Sequence, residues 1–369
     1  MKNHTGTHAL NFALRRVLGE ADQRGSLVAP DRLRFDFTAK KAMTPDEINE
    51  TEKIVQRMIE ANYQVYARET PLGLAKEIQG LRAVFDETYP DPVRVLSIGE
   101  PVETLTGDPT GPWAVQYSVE FCGGTHLHRS SHIMSIALVT EEAIAKGIRR
   151  IVALTGPEAL KAHRNAGLIE KEVGDLELKV KSGLEDGSLP FKTATKMIVE
   201  TGDSLSNSLI SQWRKETMRR TLNSLKKSVI DADRAHKTKL AQQAVERAKE
   251  IIAGLDTQKE SVVVEEMAVG GNSKALDTAL KQFKGQAPNT AAMFFSRDED
   301  SGKVFCLCLV PKGLVSKGLQ ADQWVQTVIE VTGGKGGGTT TTAQASGPNV
   351  DQLPQALAAA RTYANSKLQ

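Results

Sequence analysis

The motif HTGTH occupies residues 4–8, and a second motif, CGGTH, occupies residues 122–126. If the first motif opens a helix, its two histidines project from one face about one turn apart and can bind one metal ion. In the second motif, the glycines allow the backbone to turn tightly between the cysteine and the histidine. Three imidazoles and one thiolate form a tetrahedral donor set suited to zinc. The predicted Zn²⁺ ligands are His4, His8, Cys122 and His126.

Each motif alone has a simpler explanation. A histidine pair at helical spacing is often a surface coincidence, and a single Cys-x₃-His is often a buried thiol near a surface histidine. Together the two motifs hold three of the seven histidines and the only cysteine before Cys306, which favours a metal site. We interpret the nearby His128 and His132 as residues that lie beside the site or face solvent, not as ligands.

Length and composition indicate a multidomain protein of the cytoplasm. The chain has 369 residues, enough for two or three domains, with 40% hydrophobic and 25% charged residues. No run approaches the roughly 18 apolar residues of a membrane span, and the amino terminus has no apolar run typical of a signal peptide. Three cysteines without a secreted spacing favour a reducing compartment, most simply the cytosol. The net charge of +2 means that affinity for a polyanion would depend on local clusters of basic residues.

Residues 1–156 are predicted to form an α+β domain. The segments 32–37 and 93–98 alternate apolar and polar residues as strands do, whereas residues 43–63 have the pattern of a helix. The start of that helix is indicated at residues 44–47, where a threonine at the N-cap precedes a proline and two acids.

Residues 157–257 are predicted to form a helical arm or hairpin. A stretch rich in glycine, proline and polar residues at 183–190 divides the segment into two helical pieces. Basic charge is concentrated at residues 205–249, where 11 Lys and Arg face 4 acids for a local net charge of +7.

Residues 258–369 are predicted to form a smaller α/β domain. Strand patterns occur at 261–265 and 304–310, and helical patterns occur at 273–284, 321–331 and 350–367. Cys306 and Cys308 alternate with apolar residues on one strand and are interpreted as buried core thiols. Trp324 is interpreted as part of the core face of a helix.

Four motifs, in this order, resemble the editing domain of alanyl-tRNA synthetases and their freestanding relatives. The similarity continues into residues 333–338, a glycine-rich stretch that resembles the nucleic-acid-binding terminal domain of the same synthetases. It covers essentially the whole chain and is greatest for the eukaryotic cytosolic form. The four motifs are residues 3–8, 23–28, 33–37 and 122–126, with further similarity at 89–95 and 147–151.

The resemblance implies an aminoacyl-tRNA deacylase that removes serine or glycine from mischarged tRNA(Ala). It identifies the four predicted ligands as zinc ligands, and it places Thr7 and Gln23 in the pocket for the misattached amino acid. Without the resemblance, Thr7 would be interpreted as a helix-surface hydroxyl and Gln23 as a turn residue. A pocket shaped for alanine excludes glycine weakly, because a methylene-sized difference is worth only about 1–3 kcal/mol. A second, hydrolytic site corrects such errors.

The resemblance also implies a tRNA(Ala) partner, with no DNA or membrane partner, and a homodimer is compatible with the arm and the terminal domain. Clustered basic residues on the arm can contact phosphates, although a solvated helix face is the common alternative. The stretch 333–338 can bring backbone amides to phosphate or form a flexible loop, and it does not match an ATP-binding phosphate loop. The predicted tRNA-binding residues are Arg219, Arg220, Lys226, Lys227 and Lys335.

We expect this chain to lack both the class II synthetase core and the β-barrel module that precedes the first histidine motif in the family. Zinc held by four protein ligands would have no open position for water, which favours an organising role over a catalytic one. The alternative function is a noncatalytic tRNA-binding module with a structural zinc. A more distant alternative is an unrelated zinc hydrolase of small molecules.

Overall fold

The computed structural model describes residues 1–84, 87–256, 261–299 and 301–368. The chain divides into two compact units: one comprises Met1–Asp186 with Lys192–Lys226, and the other Gly187–Phe191 with Lys227–Gln369. Both units combine helices and strands, which confirms the α+β class. The boundaries at 156/157 and 257/258 stay a prediction. Among the described helices, none is both long enough and apolar enough to cross a membrane.

Helices occur in both units, and the described residues also include 3₁₀ segments at Ser130–Ile133 and Val350–Gln352. The α-helices within the described ranges are α1 (Lys2–Leu18), α2 (Pro45–Glu60), α3 (Leu72–Glu77), α4 (Val102–Gly107), α5 (Pro112–Gln116), α6 (Gly156–Glu185), α7 (Phe191–Asn207), α8 (Gln212–Gly254), α9 (Ser273–Gln286), α10 (Lys312–Val315), α11 (Ala321–Thr332) and α12 (Leu353–Leu368).

In the described part of the chain, the strands form three sheets, two in the first unit and one in the second. The strands within the described ranges are β1 (Gln23–Val28), β2 (Leu33–Thr38), β3 (Val65–Thr70), β4 (Leu81–Arg82), β5 (Val93–Ile98), β6 (Ser118–Phe121), β7 (Ile136–Ala145), β8 (Ile148–Thr155), β9 (Val262–Glu266), β10 (Ala291–Asp298), β11 (Lys303–Leu309), β12 (Lys335–Gly338) and β13 (Thr342–Gly347).

The first sheet supports the amino-terminal helix. Its strand order is β1-β2-β8-β7, with neighbouring strands antiparallel. The alternation predicted for β2 places Leu33, Phe35 and Phe37 in the core, each with no exposed surface. Helix α1 contacts this sheet closely at Gly6, where a Cβ atom would lie 2.9 Å from Thr155 Cγ2. The small residue in the first histidine motif therefore lets the ligand-bearing helix approach the sheet.

The second sheet brings the CGGTH motif into position. Its order is β3-β5-β6-β4, and the short strand β4 runs parallel to β6, with Arg82 in register with Glu120. Strand β6 ends at Phe121, so Cys122 lies at the point where the chain leaves the sheet. The sheet therefore fixes the start of residues 122–126, which we call the ligand loop.

Helix α2 begins as the sequence predicts. Thr44 is the N-cap, and its hydroxyl accepts a hydrogen bond from the Glu47 backbone nitrogen at 3.2 Å. The Glu47 carboxylate in turn accepts the Thr44 backbone N–H at 2.7 Å, which completes a capping box. Proline occupies the first helical turn, where its missing N–H has no consequence.

The helical segment after residue 156 is interrupted twice. The first interruption, between Glu185 and Phe191, coincides with the predicted break. A second interruption, between Asn207 and Gln212, divides the piece that the sequence predicted to be continuous, and Ser211 is fully buried there and donates a hydrogen bond to Glu52 at 3.0 Å. The prediction of two helical pieces was therefore wrong, because a tertiary contact replaces helix continuation at this point.

The second unit contains a five-stranded sheet of order β12-β13-β11-β10-β9. Only β9 and β10 are parallel, and the other neighbouring strands are antiparallel, so the sheet is mixed rather than of the parallel α/β type. Cys306 and Cys308 are buried, and burial raises the pKa of Cys306 to about 12. Trp324 has no exposed surface and donates its indole N–H to Ala360 O at 2.8 Å. These positions confirm the core assignments of both thiols and the tryptophan.

Residues Lys335–Gly338 of the glycine-rich stretch form an edge strand, which contradicts the alternative of a flexible loop for this part. Residues Lys335–Gly338 pair antiparallel with β13, in the register Lys335↔Ser346 to Gly338↔Ala343. A Cβ atom on Gly336 or Gly338 would overlap the backbone of β13. Glycine is therefore required here by close strand approach, a cause that local composition does not reveal.

Candidate metal centre and adjoining cavity

Four predicted ligands from two distant parts of the chain come together. Helix α1 presents His4 and His8 from successive turns, and the loop after β6 presents Cys122 and His126. The candidate ligand atoms all lie within 4.8 Å of one another, and in the described ranges this is the group of His, Cys, Asp and Glu side chains with metal-site geometry. Cys122 Sγ lies 3.4 Å from His4 Nε2 and 3.3 Å from His126 Nε2.

These distances match a tetrahedral zinc site. With Zn–S of about 2.3 Å and Zn–N of about 2.0–2.1 Å, sulfur and nitrogen ligands lie roughly 3.5 Å apart. The Nε2 atom of His8 is buried and has no hydrogen-bond partner among the described residues, although a buried polar atom normally has one. An ion bound by the group would engage this nitrogen, so the donor set fits zinc.

Each imidazole is held through its other nitrogen. His4 Nδ1 donates to Thr125 O at 3.2 Å, His126 Nδ1 lies 3.3 Å from Thr5 Oγ1, and His8 Nδ1 donates to the Glu120 carboxylate. Such contacts fix the tautomer and the ring orientation of histidine ligands. All three Nε2 atoms are thereby available to one ion.

Electrostatics favour the metal-binding forms of Cys122 and His126. Burial opposes the Cys122 thiolate, but hydrogen bonds with His126 and His4 and the nearby imidazole of His8 outweigh burial and lower the pKa of Cys122 to about 3. Burial lowers the pKa of His126, which favours its neutral form. Burial alone would also lower the pKa of His8, but Glu120 and Cys122 raise it to about 10. The same two anions would stabilise a metal cation bound to His8 Nε2.

The ligand loop is fixed by backbone contacts. Arg94 Nη1 donates to Cys122 O at 2.8 Å and to Gly124 O at 2.6 Å. Thr5 Oγ1 accepts the Leu127 N–H at 3.1 Å, which joins the loop to helix α1. A Cβ atom on Gly124 would overlap the His4 ring. The second glycine of CGGTH is therefore required by the close approach of His4, in addition to the tight turn that the sequence predicts.

A cavity of about 210 Å³ adjoins the donor set. His4, His8 and Cys122 form part of its wall, and Thr7 and Gln23 line it as well. The structure therefore brings both predicted pocket residues beside three of the four predicted ligands, and His126 lies on the side of the group that does not line this cavity.

Thr7 and Gln23 are held by local hydrogen bonds. Thr7 is buried, and its hydroxyl donates to Asn3 O at 2.8 Å, so it is not the exposed helix hydroxyl of the simpler interpretation. Gln23 lies at the start of strand β1 rather than in a turn, and its Nε2 donates to Ser26 Oγ at 3.2 Å.

Glu120 is the centre of a buried polar group behind the cavity wall. One carboxylate oxygen accepts His8 Nδ1, and the other accepts Asn11 Nδ2 at 3.0 Å. The guanidinium of Arg82 lies 3.7 Å from the second oxygen. Glu120, Asn11 and Arg82 all line the cavity, and sequence motifs alone did not identify them. An acid two residues before Cys122, between Val119 and Phe121, was the one local signal.

The remaining predicted residues lie outside this cluster. His128 and His132 are both exposed, and neither belongs to the ligand group. Arg220, Lys226 and Lys227 are exposed on helix α8, whereas Arg219 on the same helix is half-buried and forms an ion pair with Glu216. Lys335 is exposed on the edge strand β12 of the second unit.

Two family models match the chain. Residues 93–152 match the Threonyl and Alanyl tRNA synthetase second additional domain, and residues 259–366 match the DHHA1 domain. The first matched range contains Cys122 and His126 but not His4 and His8, which reach the same site through helix α1.

Several alanine–tRNA ligases match this chain over all or nearly all of its length. The chain is 51% identical over 369 residues to the cytoplasmic alanine–tRNA ligase of Bombyx mori and 49% identical over 369 residues to that of Drosophila melanogaster, covering 100% of this chain each time. It is 47% identical over 368 residues to the cytoplasmic enzyme of Caenorhabditis elegans. The chain spans 38%, 38% and 37% of the length of these three relatives. The chain belongs to the alanyl-tRNA synthetase family and corresponds to its C-terminal region, with a second additional domain and a DHHA1 domain.

Proposed function

We propose that the first unit is a zinc-containing deacylase that hydrolyses Ser-tRNA(Ala) and Gly-tRNA(Ala), and that the chain acts in the cytoplasm with tRNA(Ala) as its partner. The observation that carries this proposal is the small polar cavity whose wall contains His4, His8 and Cys122 together with Thr7 and Gln23. A cavity of about 210 Å³ suits an amino-acid group rather than a large substrate.

Recognition of the serine side chain follows from the hydrogen bond that the Thr7 hydroxyl donates. Its proton is committed to Asn3 O at 2.8 Å, so the oxygen presents lone pairs to the cavity. An acceptor in that position can receive a hydrogen bond from the serine hydroxyl. Alanine has no such donor, and a site built to bind a hydroxyl discriminates strongly against the analogue that lacks it. This contact accounts for serine only, and the expected hydrolysis of glycine rests on the family relationship.

The number of protein ligands favours an organising role for zinc over a catalytic one. Zinc bound by His4, His8, Cys122 and His126 would supply a fixed positive charge at the cavity wall. Four protein ligands complete a tetrahedral site of the structural kind. The side chains themselves orient the substrate, because the ligand loop and helix α1 form two walls of one cavity.

Binding of tRNA involves the predicted basic residues in both units. Lys and Arg that neutralise phosphates give an affinity that falls with increasing salt. Arg220 and Lys226 are exposed in the first unit, and Lys227 and Lys335 are exposed in the second. Arg219 is a weaker candidate because its guanidinium pairs with Glu216.

The test is deacylation of Ser-tRNA(Ala), Gly-tRNA(Ala) and Ala-tRNA(Ala) by the full chain, with zinc content measured in parallel. We expect rapid loss of serine and glycine but not alanine, and we expect a His8→Ala, Cys122→Ala double variant to lose both zinc and activity. His132→Ala is the matched histidine control because His132 is exposed and outside the ligand group. Equal hydrolysis of alanine, or full activity in the zinc-free double variant, would contradict the proposal.

The second candidate is a noncatalytic tRNA-binding module. The observation that favours it is the complete set of four protein ligands, which is typical of structural zinc. Zinc and tRNA binding without hydrolysis in the same assay would select this alternative.

A further inference from the structure

Arg82 is a buried arginine on the wall of the cavity. It lies on strand β4 in register with Glu120, its side chain is 11% exposed, and it lines the same cavity as His8 and Cys122. A guanidinium carries five N–H donors, and burying a charged donor group without acceptors is costly. If the protein does not supply acceptors for these N–H groups, a bound molecule can supply them.

Arg82 lacks acceptors for part of its guanidinium. Among the residues that the structure describes, its Nε and Nη1 atoms are buried without a hydrogen-bond partner. Nη1 lies 3.7 Å from Glu120 Oε1, which is too far for a hydrogen bond. The two oxygens of Glu120 already accept from His8 and Asn11. Glu120 therefore supplies charge to Arg82 but not the missing hydrogen bonds.

Packing holds the guanidinium in this position. Its central carbon lies 5.3 Å from the centroid of the Phe12 ring, within the range of a cation–π contact. A second arginine, Arg15 of helix α1, lines the same cavity. Burial and the charge of Arg15 lower the pKa of Arg82 to about 10, with Glu120 acting in the opposite direction. The guanidinium groups of Arg82 and Arg15 thus line one cavity. The buried carboxylate there, Glu120, already accepts a hydrogen bond from His8.

We propose that Arg82, assisted by Arg15, binds an oxygen acceptor of the 3′-terminal aminoacyl nucleotide. This inference rests on the proposed deacylase function and assigns the part of the substrate that two arginines recognise. The acceptor is either the phosphate of the terminal linkage or the carbonyl oxygen of the aminoacyl ester. Both accept hydrogen bonds from a guanidinium, and the phosphate can do so in a bidentate manner. Arg82 is a binding and positioning residue in this role.

The test measures binding of two probes to the full chain by calorimetry. One probe is adenosine with serine joined to its 3′ position by a non-hydrolysable amide, and the other is the same compound with a 5′-phosphate. We expect Arg82→Met to weaken binding roughly 10- to 100-fold, as loss of charged hydrogen bonds does, and Arg15→Gln to weaken it less. Arg16→Gln is the control, because Arg16 is the exposed neighbour of Arg15 and does not line the cavity.

The two probes distinguish the two acceptors. A loss confined to the phosphorylated probe identifies the phosphate, and an equal loss for both probes identifies the carbonyl. Arg82→Lys provides a second variant that retains the charge but lacks the planar fork, and we expect at least a severalfold loss with it. If Arg82→Met does not fold, the affinity of Arg82→Lys shows whether Arg82 binds the probe.

Wild-type affinity for the probes in folded Arg82→Met or Arg82→Lys protein would overturn the inference. If that protein still hydrolyses Ser-tRNA(Ala), the proposed function is unaffected. Hydrolysis of Ser-tRNA(Ala) by a wild-type chain that binds neither probe would also overturn it. A wild-type chain that neither hydrolyses Ser-tRNA(Ala) nor binds a probe would contradict both proposals.

Discussion

His8 donates its Nδ1 hydrogen to the buried carboxylate of Glu120, while its Nε2 faces the ligand group without a partner among the described residues. The two residues lie 112 positions apart, on helix α1 and strand β6. A carboxylate in this position fixes the histidine tautomer and raises its basicity toward a metal. Through this hydrogen bond, strand β6 fixes the ring orientation of His8, a predicted metal ligand.

Removal of Glu120 should therefore weaken zinc binding. We expect Glu120→Ala to lower zinc affinity roughly 10- to 100-fold, as loss of such partners typically does, and Glu120→Gln to lower it less because its amide oxygen can still accept from Nδ1. Competition with a chromophoric chelator measures the affinity. Glu60→Gln on the exposed end of helix α2 is the control. Unchanged affinity in Glu120→Ala would mean that His8 is oriented by other contacts.

Removal of the metal should destabilise the first unit selectively. Binding free energy in a zinc site contributes to folding when the unfolded chain lacks the site. We expect a strong chelator to increase hydrogen exchange in helix α1 and in the loop at 122–126, and to leave strands β10 and β11 of the second unit protected. Mass spectrometry of exchanged peptides measures this difference. Equal exchange with and without chelator in the first unit would contradict a zinc contribution to its stability.

The three cysteines should differ in reactivity. In chelator-treated protein, a pKa of about 3 leaves Cys122 as a thiolate at any pH well above 3, whereas burial raises the pKa of Cys306 to about 12 and also raises the pKa of Cys308. Since the thiolate is the nucleophile, iodoacetamide at pH 6 should modify Cys122 alone. Peptide mapping identifies the modified residue, and denaturant-unfolded protein is the control in which all three react. Modification of Cys306 before unfolding would argue against its burial.

The capping box of helix α2 should contribute measurable stability. We expect Thr44→Ala to lower the free energy of unfolding by about 1 kcal/mol, because the hydroxyl no longer accepts the Glu47 N–H. The backbone hydrogen bond from Thr44 lowers the pKa of Glu47 from its ordinary 4.5. The Glu47 contribution is therefore complete above pH 4.5 and is lost as the pH falls through the lowered pKa.

Denaturant unfolding at pH 7 and at pH 3.5 tests the capping box. The difference between wild-type and Glu47→Gln protein should shrink at the lower pH. A difference that grows at acidic pH would have the wrong sign for a carboxylate stabilised in its charged form.

Two glycine substitutions in the second unit should have opposite effects. A Cβ at Gly336 would overlap the backbone of strand β13, so Gly336→Ala should displace strand β12 and destabilise the unit. Gly285 lies in helix α9, and a Cβ added there would meet no neighbouring side chain or strand within 4 Å, so Gly285→Ala should stabilise by up to about 1 kcal/mol. Thermal unfolding of the two variants measures whether each substitution raises or lowers the stability. Destabilisation of equal size in both would remove close strand approach as the explanation for the glycine-rich stretch.

Local patterns in the sequence were sufficient for several features because their causes are local. The four-residue spacing of His4 and His8 places both on one helical face, and Thr44 with Glu47 marks a helix start through contacts within one turn. The alternation of Leu33, Phe35 and Phe37 indicates a strand with one buried face, as the structure confirms. The ligand types in the two motifs likewise indicate zinc chemistry before any fold is known.

Other features depend on contacts between distant parts of the chain, and only the tertiary structure decided them. Glu120 reaches His8 across 112 positions, and Arg82 reaches the cavity because strand β4 pairs with β6. The glycines at 336 and 338 form a strand because β13 lies beside them. Sequence patterns report the periodicity and conformational preference of neighbouring residues, whereas strand pairing and burial depend on which remote segment arrives alongside. The sequence by itself therefore determined the candidate metal-binding residues and many of the elements, and the tertiary structure determined which residues hold those candidate ligands and line the cavity beside them.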